Sequence, residues 1–141
     1  MPKTVYEKMG MKIDDSVIYL NSTDEAIASI GFLGSNVYES LTQPFDHIVL
    51  FVVTQEDMKR QFQSLKQYLK PSGKLWVAWP KARQLHSDLS VPTVIKIGYD
   101  NGLVESTNLS INSVWTALKF TWPKPGKTYA NSYGVLPVDR R

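Results

Sequence analysis

The sequence predicts an α/β domain whose sheet is mostly parallel and closes with an antiparallel hairpin. Three features carry that prediction. Residues 45–53, Phe-Asp-His-Ile-Val-Leu-Phe-Val-Val, are almost continuously apolar, as a strand covered on both faces should be. Met58, Phe62, Leu65 and Leu69 then recur at spacings of four, three and four, one stripe of an amphipathic helix, and Lys74–Pro80 is a second apolar strand. Strand, helix and strand with short loops form a βαβ unit, which makes the strands parallel and the crossover right-handed. The third feature is the ending: segments 103–109 and 114–122 read as strands joined by the short turn Ser110-Ile111-Asn112-Ser113, and a hairpin is the natural geometry.

The remaining elements follow in order. Thr4–Met9 forms a short helix ending at Gly10, a residue suited to the left-handed C-cap. Ser16–Leu20, rich in β-branched and aromatic residues, is a buried strand. Ser22 and Glu25 match the capping-box spacing, a hydroxyl at the N-cap and a carboxylate three residues on. They open a helix carrying Ala26, Ile27 and Ile30, which Gly31 and Gly34 end; Asn36–Ser40 is a second short strand. Thr54 and Asp57 form another capping pair, Lys70-Pro71-Ser72-Gly73 breaks the amphipathic helix, and Pro80 stops the following strand. Ser90 and Pro92 start a helix that runs to about Asn101, with Gly102 past its end. Residues 1–122 are thus expected to form the domain, and the Pro/Gly/Lys-rich residues 123–141 a mobile or partner-ordered tail.

At 141 residues the chain is long enough for one ordinary core. It has no cysteine, which excludes disulfides, thiolate nucleophiles and Cys-type zinc sites, and only two histidines, His47 and His86. Neither a secretory h-region nor a membrane span is visible, so a soluble, cytoplasmic protein is expected. Charge is unevenly placed. Residues 1–57 hold three lysines against nine acids, whereas residues 58–98 hold eight basic residues against Asp88 alone. Lys59, Arg60, Lys66, Lys70, Lys74 and Lys81 could attract a phosphate backbone or simply solvate a helix face. Tyr129 and Tyr133 in the basic tail could stack on single-stranded nucleic acid. Acidic and basic halves could equally meet between copies, and a homodimer is the expected assembly.

Pro44-Phe45-Asp46-His47-Ile48-Val49-Leu50-Phe51 and Leu69-Lys70-Pro71-Ser72-Gly73-Lys74-Leu75-Trp76-Val77 resemble the second half of a class I S-adenosylmethionine-dependent methyltransferase. In that family a Phe-Asp-apolar strand enters a helix and an LKPGG-L turn leads into the next strand. Trp76-Val77-Ala78-Trp79-Pro80-Lys81 and Val114-Trp115-Thr116-Ala117-Leu118-Lys119-Phe120 are similar to a group of small bacterial proteins with methyltransferase-like domains of unknown function. The resemblance, over roughly residues 4–122, implies a Rossmann-like three-layer sandwich ending in an antiparallel strand inserted into the sheet.

Two departures bear on activity. The family's cofactor loop after the first strand is glycine-rich, so that backbone can approach the methionine part of the cofactor. Here the loop reads Leu20-Asn21-Ser22-Thr23-Asp24-Glu25-Ala26. Only 24 residues separate Leu20 from Phe45, room for one helix and one strand where the full fold places three helices and two strands. The front half is therefore expected to be shortened by an edge strand and its flanking helices.

Should a nucleoside bind, the resemblance points to Glu39 for a ribose hydroxyl, to Asn21 and Ser22 at the end of the first strand, and to Trp79 and Lys81 at the edge of the crevice. Trp79 could stack on a base or a methylated cation, and Lys81 could meet a phosphate or carboxylate. Each residue also has an ordinary reading: Ser22 as a helix cap, Glu39 as a solvated acid, Trp79 as core, and Lys81, Arg83 and His86 as a solvated basic loop. His47 is expected to be a buried neutral imidazole, and Asp46 to fix a turn. No Ser-His-Asp order, P-loop or metal-ligand cluster is present in the sequence, and no catalytic residue is assigned. The expected function is a methyltransferase-like domain without methyl transfer, acting as a binding or assembly module and needing no cofactor. The alternatives are a minimal methyltransferase that uses S-adenosylmethionine and a nucleic-acid-binding module.

Overall fold

Every residue of Phe45–Phe51 except Asp46 is buried, which makes this strand the doubly covered one that its apolar run requires. The computed structural model describes residues 3–32, 36–129 and 132–140. Along them run α1 (Val5–Lys8), β1 (Ser16–Leu20), α2 (Asp24–Ile30), β2 (Asn36–Tyr38), β3 (Phe45–Phe51), α3 (Gln55–Leu65), β4 (Leu69–Pro80), α4 (Val91–Asp100), β5 (Val104–Ser110) and β6 (Trp115–Thr121). The six strands form one sheet in the order β2-β1-β3-β4-β6-β5. β2, β1, β3 and β4 are parallel, and β6 is inserted antiparallel between β4 and β5. The βαβ unit and the closing hairpin are therefore where the sequence predicts them. Among the described residues, α2 and β2 are the regular elements between Leu20 and Phe45, the shortened front half.

Side-chain alternation divides the core between the two faces of the sheet. Ile48, Leu50, Leu75, Val77 and Trp79 meet Met58, Phe62 and Leu65 of α3 and Val94, Ile95 and Ile97 of α4. Val17, Val49, Phe51, Trp76 and Ala78 meet Val5 and Tyr6 of α1, Met9 at its C-cap, and Ala26 and Ile30 of α2. Trp76 and Trp79, three residues apart on β4, thus fall on opposite faces. Burying each large apolar side chain contributes about 1.5–3 kcal/mol, so the longer helices α3 and α4 make theirs the better-anchored face. Gly98 lets α4 close onto β6: a Cβ there would lie 2.0 Å from Phe120 Cε1. Phe120 in turn meets Phe62 edge to face at 5.3 Å.

Local details differ from the sequence reading at three places. Leu69 continues the helical spacing, yet it is the first residue of β4 and pairs with Phe45, while His47 pairs with Lys74. Residues 70–73 bulge within β4 between those pairs instead of separating the helix from a strand that starts at Lys74. Gly73 allows this, since a Cβ there would sit 2.9 Å from the Phe45 carbonyl oxygen. The N-cap of α2 is Thr23, not Ser22; its hydroxyl accepts from Ala26 N at 3.1 Å. Asn21 takes a left-handed φ of 60°, and that turn delays the helix by one residue. The reciprocal capping box occurs on α1 instead, between Thr4 and Glu7.

Residues 132–140 of the tail contact α4, while Pro123 and Pro125 lie beside Leu69 and Pro71. Leu136 is buried in the α3/α4 core, Gly134 approaches the Tyr99 ring, and Arg140 pairs with Asp100. One apolar residue and one ion pair dock a segment whose composition reads as mobile. Gly34 falls outside the described residues. Among those described, no helix is long and apolar enough to cross a membrane.

Two candidate clefts at the carboxyl edge of the sheet

The carboxyl ends of β1, β3 and β4 lie along one edge of the sheet, with Leu20 beside Leu50 and Phe51 beside Ala78. β6 enters from the same edge, Trp115 opposite Pro80. Open α/β sheets hold ligands at this edge. Two separate clefts occupy it.

The first, of about 400 Å³, is lined by Asn21, Thr23, Phe51, Gln61, Leu85 and Trp115, with Arg60 and Asp57 at its side. Asn21 lines it at the end of β1. Its carboxamide nitrogen donates to the Phe51 carbonyl at 3.3 Å and to Gln61 Oε1 at 2.9 Å, tying the end of β1 to β3 and α3. Arg60 is held by Asp57 at 2.6 Å.

The second cleft, of about 540 Å³, lies at the end of β4 between the 81–90 loop and the start of α4. Trp79, Thr116 and Ser110 stand opposite one another on neighbouring strands and share a face, which forms the floor. Trp79 is only 2% exposed, so one residue serves both as core and as cleft wall. Lys81 donates from Nζ to the Ser110 hydroxyl, and Thr116 Oγ1 donates to Asn108 Oδ1 at 3.3 Å. Arg83 and Asn108 also line the cleft. Arg83 has no hydrogen-bond or ion-pair partner among the described residues. α4 begins here without a side-chain cap, the Ser90 hydroxyl being 3.0 Å from that of Thr93.

The loop beside this cleft is conformationally costly. Ala82, Arg83, Leu85 and His86 all take left-handed backbone, with φ of 49°, 61°, 55° and 60°. For residues with a Cβ that costs roughly 1–2 kcal/mol each and persists only where surrounding contacts impose it. The contacts are present: Gln84 Nε2 donates to Ser113 O at 3.1 Å, Gln55 binds Asp88 through its backbone N–H at 2.8 Å and its side chain at 3.0 Å, and Leu89 N donates to the buried Ser87 at 3.2 Å.

Of the residues singled out from the sequence, the structure brings Trp79 and Lys81 together in the second cleft and places Asn21 in the first. Ser22 and Glu39 are exposed and line neither cleft. Asn108 and Thr116 had no distinguishing sequence signal, and Arg83 had only that of one charge in a basic loop. Only the strand register assembles them.

The basic residues of 59–81 are dispersed. Lys66 lies 5.7 Å from the centre of the Trp122 ring, and Lys70 reaches Asp46 at 3.2 Å on the amino-terminal edge, opposite to Lys81. His47 is buried, its Nε2 3.0 Å from Asp15 Oδ2 and its Nδ1 unpartnered among the described residues. Burial pushes the imidazole pKa down against the opposing pull of Asp15, which favours the neutral ring. Burial would raise the Asp46 carboxyl, but the Ser16 backbone N–H, Lys70 and the Ser16 hydroxyl outweigh it and hold the group below the ordinary carboxylate range. No cluster of His, Asp or Glu able to hold a metal occurs among the described residues.

Neither a family model nor a curated protein matches the chain. Solved structures do. The ribosomal protein L11 methylase of Lactobacillus delbrueckii subsp. bulgaricus superposes with a TM-score of 0.54 at 12% identity, covering 85% of this chain and 76% of its own. The fibrillarin pre-rRNA processing protein of Methanococcus jannaschii superposes with a TM-score of 0.51, also at 12% identity, covering 86% of this chain and 70% of its own. The fold is therefore a Rossmann-like, class I methyltransferase-like α/β fold.

The family resemblance drawn from the sequence implies S-adenosylmethionine, whose methionine part would meet the turn after β1. The residues of this turn do not fit it. The Asn21 side chain bridges the approach that glycine leaves open, and the Thr23 hydroxyl already takes the Ala26 amide of the α2 first turn.

Proposed function

We propose that the domain retains a methyltransferase-like scaffold without methyl transfer and works as a binding or assembly module. The observation that carries this reading is the Asn21 bridge. A side chain bonded to both β3 and α3 stands where the backbone would have to yield to a sulfonium cofactor. Two further features support it. Glu39, the acid available for a ribose, shares no cleft with Asn21. Among the described residues, the crossover between β1 and β3 contains one short helix and one three-residue strand, which leaves little wall around a nucleoside.

Calorimetric titration of the full chain with S-adenosylmethionine and S-adenosylhomocysteine tests the proposal. No heat is expected up to millimolar ligand; binding in the micromolar range, about −8 kcal/mol, would overturn it.

A further inference from the structure

We infer that the cleft at the end of β4 binds a small organic phosphate, its apolar part against Val91 above the buried Trp79 and its phosphate between Lys81 and Arg83. The lining contains two cations and no acid among the described residues. Lys81 is fixed by Ser110, and Arg83 has no partner among the described residues, so its guanidinium can offer the paired hydrogen bonds that a phosphate accepts. Thr116 and Asn108, on the adjoining strands, add a hydroxyl and a carboxamide within the same lining. Trp79, Leu89 and Val91 supply an apolar wall, the usual partition of a small-molecule site between apolar surface and a few polar groups.

The backbone gives a further reason. Four left-handed residues without glycine are held in place by Gln84, Gln55 and Ser87, and the second of the four is Arg83 itself. Such a loop sets the position of Arg83 before a ligand arrives. Strain of this kind clusters at binding sites. The inference supplies a ligand class for the binding module proposed above and rests on that reading.

The test follows tryptophan fluorescence of the full chain as phenyl phosphate is added. Quenching that saturates at or below millimolar concentration is expected, with inorganic phosphate competing and phenol without effect. Arg83→Ala, at an exposed position without a partner among the described residues, should weaken binding about tenfold with unchanged circular dichroism, as loss of a charge-assisted hydrogen bond predicts. Lys81→Ala should weaken it comparably. Absence of saturable quenching, or equal affinity of Arg83→Ala, would overturn the inference. So would tighter binding of benzoate, which would make the site one for carboxylates, or of a single-stranded oligonucleotide, which would make it a nucleic-acid surface. Heat with S-adenosylmethionine would overturn the functional reading alone, and silence toward phenyl phosphate the present inference alone.

Discussion

The turns that follow β1 and β4 leave the same edge of one sheet, and both use left-handed backbone to do so. After β1 a single residue, Asn21, takes that conformation and spends its side chain on Phe51 and Gln61. After β4 four residues take it, and the cation among them, Arg83, lines an open cleft. One turn is tied down through its own side chain. The other is held by contacts made elsewhere. The comparison teaches that two turns on one edge of the same sheet can spend left-handed backbone differently: the first ties its own side chain to neighbouring elements, and the second presents a cation to a cleft.

Substitutions at the two turns should separate them clearly. Trp79→Ala has the largest expected effect, a loss of about 3–5 kcal/mol in urea unfolding, because it empties both the α4-facing core and the cleft floor. Asn21→Gly should cost only about 1 kcal/mol, since glycine accepts the left-handed backbone and only side-chain hydrogen bonds are lost. A cost as large as that of Trp79→Ala would show that the bridge holds the sheet together as well as lining the cleft. Ala82→Gly should raise stability by about 0.5 kcal/mol, relief of the left-handed backbone exceeding the added chain entropy; destabilisation would contradict the strained loop.

The smallest effect belongs to the opposite edge of the sheet. The folded pKa of His47 lies below its unfolded value, so the unfolded chain binds the extra proton and stability falls with pH as the solution passes below about 6.5. Asp46, also depressed, adds a loss at still lower pH. The Tm should thus decline from pH 7 to pH 5, less steeply in His47→Gln, while affinity differences between the clefts stay tied to Asn21 and Arg83. A Tm rising over that interval would reverse the sign assigned to His47.

Much of the architecture was legible because it rests on local pattern. The apolar run at 45–53, the stripe Met58-Phe62-Leu65 and the Ser110–Ser113 turn each determine an element without reference to the rest of the chain. Leu69 misled because its spacing suits a helix as well as it suits the first pair of a bulged strand. Ser22 and Thr23 are both competent caps, and the left-handed Asn21 chose between them. The loop at 82–86 was invisible as strained, since Ala82, Arg83 and Leu85 are not types that announce left-handed backbone; tethers from Gln55 and Ser113, far along the chain, impose it. Arg83 read as one charge in a basic loop until the register of β4, β6 and β5 put Trp79, Thr116 and Ser110 beside it.

The most direct test is a ¹⁵N NMR titration of the full chain in which one spectrum reports on both turns. Phenyl phosphate should shift the Trp79 indole and the Arg83 amide, and S-adenosylmethionine should leave the Asn21 carboxamide unmoved. Saturable displacement of the Asn21, Ser22 and Glu39 signals by micromolar S-adenosylmethionine would contradict the account.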